Sequence, residues 1–523
     1  MSQRAARSAA GSSRCGSFSS GFSRAWGVLA ALVVLQPAAA RASPPFELMG
    51  SALGSGGLNA RSSGSDASSA YFNPARLARA KPGLQLGWFV LNDAIDLTMF
   101  ARNGVDVPTT ALDEFEGRFP PVPTTWLQNG CDPAMQGRCV TKLAPRPRQG
   151  AGSSGNTRVY QVFGLVSEVA KRWLTLGVYG MVPLDGFLQG QSFFVNEREQ
   201  YFSNSLHPEL YSDRLTAMAL AFGASSQLLD WLAFGVGATL SLTNTADAGT
   251  YVGNSADIPD TLQLATKIDV TTGIAPNFGF MLTPLDGLDI SLTAHTPQKM
   301  EIVTGFSTFL PNGDLQRADR TATLAWEPWK FGIGAQYDFV REPGQRFGAV
   351  AAATCALWSG YLNRQNERPQ QGYGWSNTVG LSFGLRHVYD ERLTSSLDAS
   401  YEPSPVPAQT GRTNYVDNDR YSLAASVSYQ YPIAEKAELK VGVQGQVHFL
   451  PERSQLKIDP TKPPYAGNSY SQLVQDEWLD GAVNNREEVI QESYGLQTNN
   501  PGWPGYSSKG TIVGGGLNVS LLY

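Results

Sequence analysis

Charge is scarce in this sequence: 16% of its 523 residues are Asp, Glu, Lys or Arg, against roughly 25% in an average soluble domain. The net charge of -5 comes with no basic cluster, which argues against a nucleic-acid partner. Histidine is scarcer, at four residues, so a hydrolase built on a nucleophile and a His base has little to work with. Ser291 and His295 share a strand face, but a residue separates them and they make no convincing dyad. Neither a G-x-x-x-x-G-K-[ST] phosphate loop nor a dinucleotide fingerprint is present; no cofactor is expected and the chain is not read as an enzyme. Two close cysteines, Cys131 and Cys139, have no nearby His, which argues against zinc. Beyond residue 42 no apolar stretch reaches eighteen residues. That excludes transmembrane helices and leaves a closed β-barrel as the only way for the chain to cross a bilayer.

What is present suits such a barrel: 54 Gly, 24 Phe, 20 Tyr and 11 Trp. A large secreted β-sandwich would share some of this composition, so the decisive signal is alternation with a period of two. In residues 329–339 (WKFGIGAQYDF), Trp329, Phe331, Ile333, Ala335, Tyr337 and Phe339 form one face, and Lys330, Gly332, Gly334, Gln336 and Asp338 the other. In 437–449 (AELKVGVQGQVHF) the outward set is Leu439, Val441, Val443, Val447 and Phe449, and the inward set includes Glu438, Lys440, Gln444, Gln446 and His448. A slip of one residue would strand Lys440 in lipid. Such runs fall at 84–97, 158–170, 173–183, 215–228, 231–243, 271–284, 287–299, 329–340, 346–359, 376–388, 392–402, 420–431, 435–449 and 510–523. The expected fold is all-β: a transmembrane antiparallel β-barrel of about 14 strands.

The connections add independent support. Short links at 171–172, 229–230, 285–286, 341–345, 389–391 and 432–434 alternate with long ones, as a barrel with short turns on one side and long loops on the other requires. The long links 102–156, 184–214, 244–270, 300–328 and 450–509 are expected to be surface loops. The apolar pairs Phe187-Leu188 and Tyr201-Phe202 within them suggest an external hydrophobic groove. An even strand count places both barrel ends on the short-turn side, and the last strand closes on an aromatic, Tyr523.

Residues 1–42 carry Arg4, Arg7, Arg14 and Arg24, then the apolar run Trp26–Leu35 and small residues at A-x-A spacing, the pattern of a secretory signal cleaved after Ala40 or Ala42. In an exported chain Cys131 and Cys139 read as a small disulfide loop. Residues 43–82 follow, before the barrel at 83–523. Their centre, Phe46 to Ala80, is rich in Gly, Ser and Ala and fits neither helix nor strand. A flexible linker is one reading. The other is a hatch folded up into the barrel lumen.

Gly57-Leu58-Asn59-Ala60, Asp66-Ala67-Ser68 and Phe72-Asn73-Pro74-Ala75-Arg76-Leu77 resemble the N-terminal hatch of the FadL-type family of outer-membrane transporters for long-chain fatty acids and other hydrophobic compounds. The family pattern is close to G-N-A, D-A-S and F-F-N-P-A-G-L. This chain departs from it at Tyr71 and Arg76, while Asn73, Pro74 and Ala75 match.

The resemblance implies a bacterial outer-membrane barrel occluded by an N-terminal hatch. A hydrophobic small-molecule ligand, a fatty acid or hydrocarbon, would be captured outside and pass through an apolar lumenal site. Release would be sideways into outer-membrane lipid near the third strand, where Gly177, Gly180 and Pro183 could interrupt the ladder. A crowded interior at Gly177 and a loop start at Pro183 explain the same residues. The chain is expected to be a monomer inserted by the barrel assembly machinery. If the ligand carries a carboxylate, Lys330, Arg386 and Lys440 are the inward cations that could anchor it. The alternative is a charge lattice with Asp338, Asp398 and Glu438. Phe46 either lines the pocket or staples the hatch. A porin-like or structural barrel without hydrophobic transport is the competing function.

Overall fold

The computed structural model describes residues 44–54, 56–99, 151–152, 156–184, 206–208, 218–252, 262–309, 315–342, 344–362, 368, 374–408, 414–435, 437–456 and 505–523. Residues 1–43, which hold the expected secretory signal, the Cys131 and Cys139 pair, and the apolar pairs at 187–188 and 201–202 lie outside the described residues.

Fourteen strands form the wall: β1 Gly83–Met99, β2 Asn156–Ala170, β3 Leu174–Pro183, β4 Ala219–Leu229, β5 Leu232–Val252, β6 Leu262–Leu285, β7 Leu288–His295, β8 Lys330–Glu342, β9 Gln345–Ala356, β10 Thr378–Tyr389, β11 Leu393–Glu402, β12 Arg420–Ala434, β13 Ala437–Leu456 and β14 Gly505–Leu522. Each pairs antiparallel with the next. The ring closes where β1 meets β14, from Gly83 opposite Leu522 to Met99 opposite Tyr506. Closure satisfies every ladder and leaves no edge for lipid to meet.

The alternation in the sequence becomes an inside-out distribution of burial. On β1, Leu84, Leu86, Trp88 and Val90 are exposed, while Gln85, Phe89, Leu91 and Asp93 are buried. On β12 the exposed set is Tyr421, Leu423, Val427 and Tyr429, against buried Ser422, Ser426 and Ser428. Strand β13 exposes Val441, Val443, Val447 and Phe449 and buries Gln446 and His448. Large apolar groups outside and serine, glutamine and histidine inside suit a bilayer as solvent and would be unfavourable in water.

Three expected loops are wholly or partly strands instead. Strands β5 and β6 stay in register to Val252 opposite Leu262, across most of 244–270. Residues Gln298–Phe309 and Leu315–Glu327 form a further hairpin that pairs with the distal part of β5. Likewise β13 and β14 remain paired to Leu456 opposite Gly505, inside the segment expected to be a loop at 450–509. Outside a bilayer a ladder no longer needs an apolar outer face, so pairing continues after alternation has stopped.

The ring has a consequence that can be measured. Arginine in place of Leu423, on the outward face of β12, should cost about 2–4 kcal/mol in lipid. Urea unfolding of the refolded barrel in vesicles reads that loss, and Val443→Arg should behave alike.

Candidate functional site

Inside the ring lies the segment from Pro44 to Ala80, broken into short turns: helix α1 Pro44–Met49, a 3-10 turn Gly57–Asn59, helix α2 Ala60–Ser63, helix α3 Ser69–Phe72 and a 3-10 turn Pro74–Arg79. None is long enough to be stable alone. Turn hydrogen bonds such as Ser51 N–H to the Gly57 carbonyl at 3.0 Å satisfy part of their backbone, and side chains of the segment and of the wall satisfy more. Asp66 accepts hydrogen bonds from Ser51 Oγ (3.0 Å) and the Ser68 amide (2.8 Å). Asn73 accepts from the Ala75 amide at 3.2 Å, beside Pro74 at the first position of its turn, and its Nδ2 donates to the Arg61 carbonyl at 3.1 Å.

Polar groups around the ring hold the segment. Asp398 on β11 accepts from the Leu58 amide (3.1 Å), Asn59 Nδ2 (2.7 Å) and Arg386 Nη1 (2.7 Å). Arg386 on β10 also donates from Nη2 to the Gly56 carbonyl and to Ser63 Oγ, both at 2.9 Å. Asn277 on β6 donates to the carbonyls of Ala70 (3.0 Å) and Tyr71 (2.6 Å), and Gln446 on β13 to that of Leu48 (3.2 Å). Gln85 on β1 accepts from the Ala67 amide at 3.1 Å.

Close backbone approach sets two glycines. A Cβ on Gly235 of β5 would lie 2.3 Å from both the Ala75 nitrogen and the Pro74 carbonyl carbon. Gly57 takes φ +48°, and a Cβ there would lie 2.2 Å from Asp398 Oδ2. Both positions therefore exclude any side chain.

Apolar and charged packing divide the lumen. On the β1–β4 side Phe46, Leu48, Met49, Leu53, Tyr71 and Leu77 share one core with Phe89, Tyr160, Val162, Tyr179 and Met181. Phe46 is fully buried, its ring 4.8 Å from Tyr71 and 4.6 Å from Tyr179. On the opposite side a cavity of about 120 Å³ is lined by charged and hydroxyl groups, among them Glu47, Arg61, Lys330, Glu402, Arg420 and Ser422. The apolar lumenal site that the resemblance implied is thus not what this cavity offers; the apolar space is occupied by the segment itself. Trp358 lines the cavity and packs with Trp326, Tyr361 and Trp375, the last two stacked with centroids 3.5 Å apart.

The three candidate anchoring cations differ in their surroundings. Lys330 Nζ lies 2.6 Å from Glu327 Oε2 and 3.2 Å from Glu47 Oε1. It does not pair with Asp338, which sits eight residues along the same strand, roughly 26 Å away at the rise of a strand. Arg386 pairs with Asp398. Lys440 makes no ion pair within 4 Å among the described residues, although the Asp66 charge acts on it, and Glu438 is taken by Lys81 at 2.7 Å. Ser291 and His295 do not meet: Ser291 Oγ accepts from Arg76 Nη1 at 3.4 Å and His295 Nε2 faces the Phe72 carbonyl at 3.4 Å.

Strand β3 is paired on both sides. Its ladder to β4 runs without a break from Thr175 opposite Ser225 to Met181 opposite Ala219, so Gly177 and Gly180 do not interrupt it. Gly177 faces Leu77, whose Cδ2 would lie 2.6 Å from an added Cβ, and Gly180 is covered by the Phe163 ring. Pro183 lies beyond the last β4 partner, opposite Tyr160 of β2. Crowding accounts for Gly177 here, and pairing with a neighbouring aromatic for Gly180.

Sequence reasoning missed Glu47 and Arg61. A signal was available: they are the only charged side chains between residues 43 and 65. The two departures from the hatch pattern are also put to use. Tyr71 donates its hydroxyl to Glu47 Oε1 at 2.5 Å, and Arg76 donates from Nε to the Gly64 carbonyl at 2.6 Å. Burial alone would raise the Glu47 carboxyl, but the Arg61 and Lys330 charges hold it well below the usual carboxylate range. The folded-state pKa is depressed, so the hold that Glu47 provides is complete above the unfolded value and lost only as pH falls through the depressed one.

Two outcomes follow for the seat of the segment. Asp398→Ala removes three hydrogen bonds to Oδ1 and Oδ2 and leaves Arg386 uncompensated, and Gly235→Ala collides with the Pro74-Ala75 backbone. Both should raise single-channel conductance in planar bilayers several-fold over the wild-type barrel. Conductance of the wild type should stay low at pH 5 and rise only at stronger acidity.

No protein-family model matches the sequence, and no curated protein does. Solved structures do. The chain is similar to a Pseudomonas aeruginosa FadL homologue at 13% identity, covering 93% of this chain and 99% of that one with a TM-score of 0.46. It is similar to the Pseudomonas putida toluene transporter TodX at 12% identity, covering 88% and 97% with a TM-score of 0.41. For the Ralstonia pickettii toluene transporter TbuX the values are 10%, 86% and 92%, and 0.38.

Proposed function

We propose that this chain is a bacterial outer-membrane passive transporter for hydrophobic compounds, with residues 43–82 as its hatch. The observation that carries the reading is the combination of an apolar belt outside the ring with a lumen filled by the chain's own leading segment. An open porin has no use for such a filling, because its substrates cross in water. An apolar solute has the opposite problem: it gains nothing from an aqueous pore and needs a continuous apolar path. The core between the segment and β1–β4 supplies the material of that path once the segment shifts.

Release sideways into lipid beside β3 belongs to the same reading. Tyr179 and Met181 face the segment's core, the β3–β4 ladder is short, and Pro183 offers no amide hydrogen at its outer end. Lys440, lumen-facing and without an ion pair within 4 Å among the described residues, is the anchor of choice for an anionic end group in transit. Fatty acids and hydrocarbons both fit this description of the cargo. The barrel works as a monomer, without cofactor or catalysis.

Uptake decides the matter. Cells expressing the protein should accumulate labelled laurate and toluene severalfold faster than cells without it. Deletion of residues 46–80 should abolish the selectivity and give a leaky, ion-conducting pore. Unchanged hydrophobic uptake after that deletion, with conductance still small, would leave a structural barrel as the better account.

A further inference from the structure

The Glu47 carboxylate sits in a seat built for an anion. Arg61 Nη2 reaches its Oε1 at 2.5 Å, the Tyr71 hydroxyl at 2.5 Å and Lys330 Nζ at 3.2 Å. All three contacts go to one oxygen, so Glu47 uses the guanidinium end on. Arg61 Nε is buried and has no hydrogen-bond acceptor among the described residues. A free carboxylate could take Nε and Nη2 together, the bidentate geometry that a guanidinium favours and that a carboxylate fixed on helix α1 does not reach here.

The seat would also outlast Glu47. Lys330 is held independently by Glu327 on the wall side at 2.6 Å, and Arg61 lies over the Phe72 ring at 5.5 Å from its centroid. Glu47, Arg61, Phe72 and Lys330 all line the 120 Å³ cavity, so a solute within it has direct access. Glu47 is carried by the first helix of the segment, next to Phe46 and Leu48 in the lumenal core. Whatever takes its place at Arg61 and Lys330 frees that helix from the wall.

We infer that Glu47 is a tethered stand-in for a ligand carboxylate, and that a carboxylate-bearing amphiphile entering the cavity exchanges with it at Arg61, Tyr71 and Lys330 and so unlatches helix α1. The inference rests on the transport reading and narrows it, since it assigns the opening signal to the anionic head of the cargo. One anion replaces another at Arg61 and Lys330, so the exchange avoids the cost of leaving either cation unpaired.

The test uses the full-length barrel purified in detergent, with laurate as the probe and methyl laurate as its uncharged counterpart. Saturating laurate should speed amide hydrogen exchange over residues 44–64 by about tenfold, and methyl laurate should not. Glu47→Gln should bind laurate about tenfold tighter than wild type, because a competing charged partner has been removed. Its residues 44–64 should exchange fast without ligand. Lys330→Met should lose laurate binding. Equal effects of laurate and methyl laurate on wild-type exchange overturn the inference, whether or not Glu47→Gln folds. So does unaltered laurate affinity in a folded Glu47→Gln barrel. Toluene uptake that still depends on residues 46–80 would in that case keep the transport reading intact, whereas loss of that dependence removes the reading itself.

Discussion

Backbone hydrogen bonding in a medium without water is the constraint on which this molecule depends. A strand in hydrocarbon cannot leave its amides and carbonyls to solvent, so the sheet must end where it began. The pairing of Gly83–Met99 with Gly505–Leu522 meets that demand, and it brings the start of β1 and the end of β14 to the same side of the ring. Once the ring is closed, each strand has one face for lipid and one for the interior. Serine, asparagine, glutamine and charged pairs can then be buried at little cost, because they meet the polar backbone of the leading segment rather than hydrocarbon.

The interior is filled unevenly. Phe46, Tyr71 and Leu77 pack against β1–β4, while Glu47, Arg61 and Arg386 hold the other side through charge and hydrogen bonds. Apolar contacts there are numerous and directionless, so they fix position loosely. The ionic contacts are few and geometrically strict. The segment is thus held by two kinds of contact, an apolar core on one side and a set of directional polar partners on the other.

Much of the fold was legible in the sequence because the bilayer writes a strong period-two signal. Fourteen runs match fourteen strands, and the inward placement of Lys330, Arg386 and Lys440 follows from parity alone. The signal fails where the bilayer ends: residues beyond Thr243 on β5 and before Thr271 on β6 keep their pairing but not their alternation. Partners of the inward cations were harder to read. Parity places Lys330 inside, but only three-dimensional closure brings it to Glu47, 283 positions earlier in the chain. Gly177 and Gly180 show the opposite hazard, since a glycine in a strand suggests a break and here marks a close neighbour.

The contacts that seat the leading segment span great distances along the chain. Leu58 and Asn59 bond to a residue more than three hundred positions away, and the Leu48 carbonyl to one 398 positions away. None of these partners exists until the later hairpins are in place. The polar seat of the stretch synthesised before every strand therefore cannot be complete until β11 and β13 are in place.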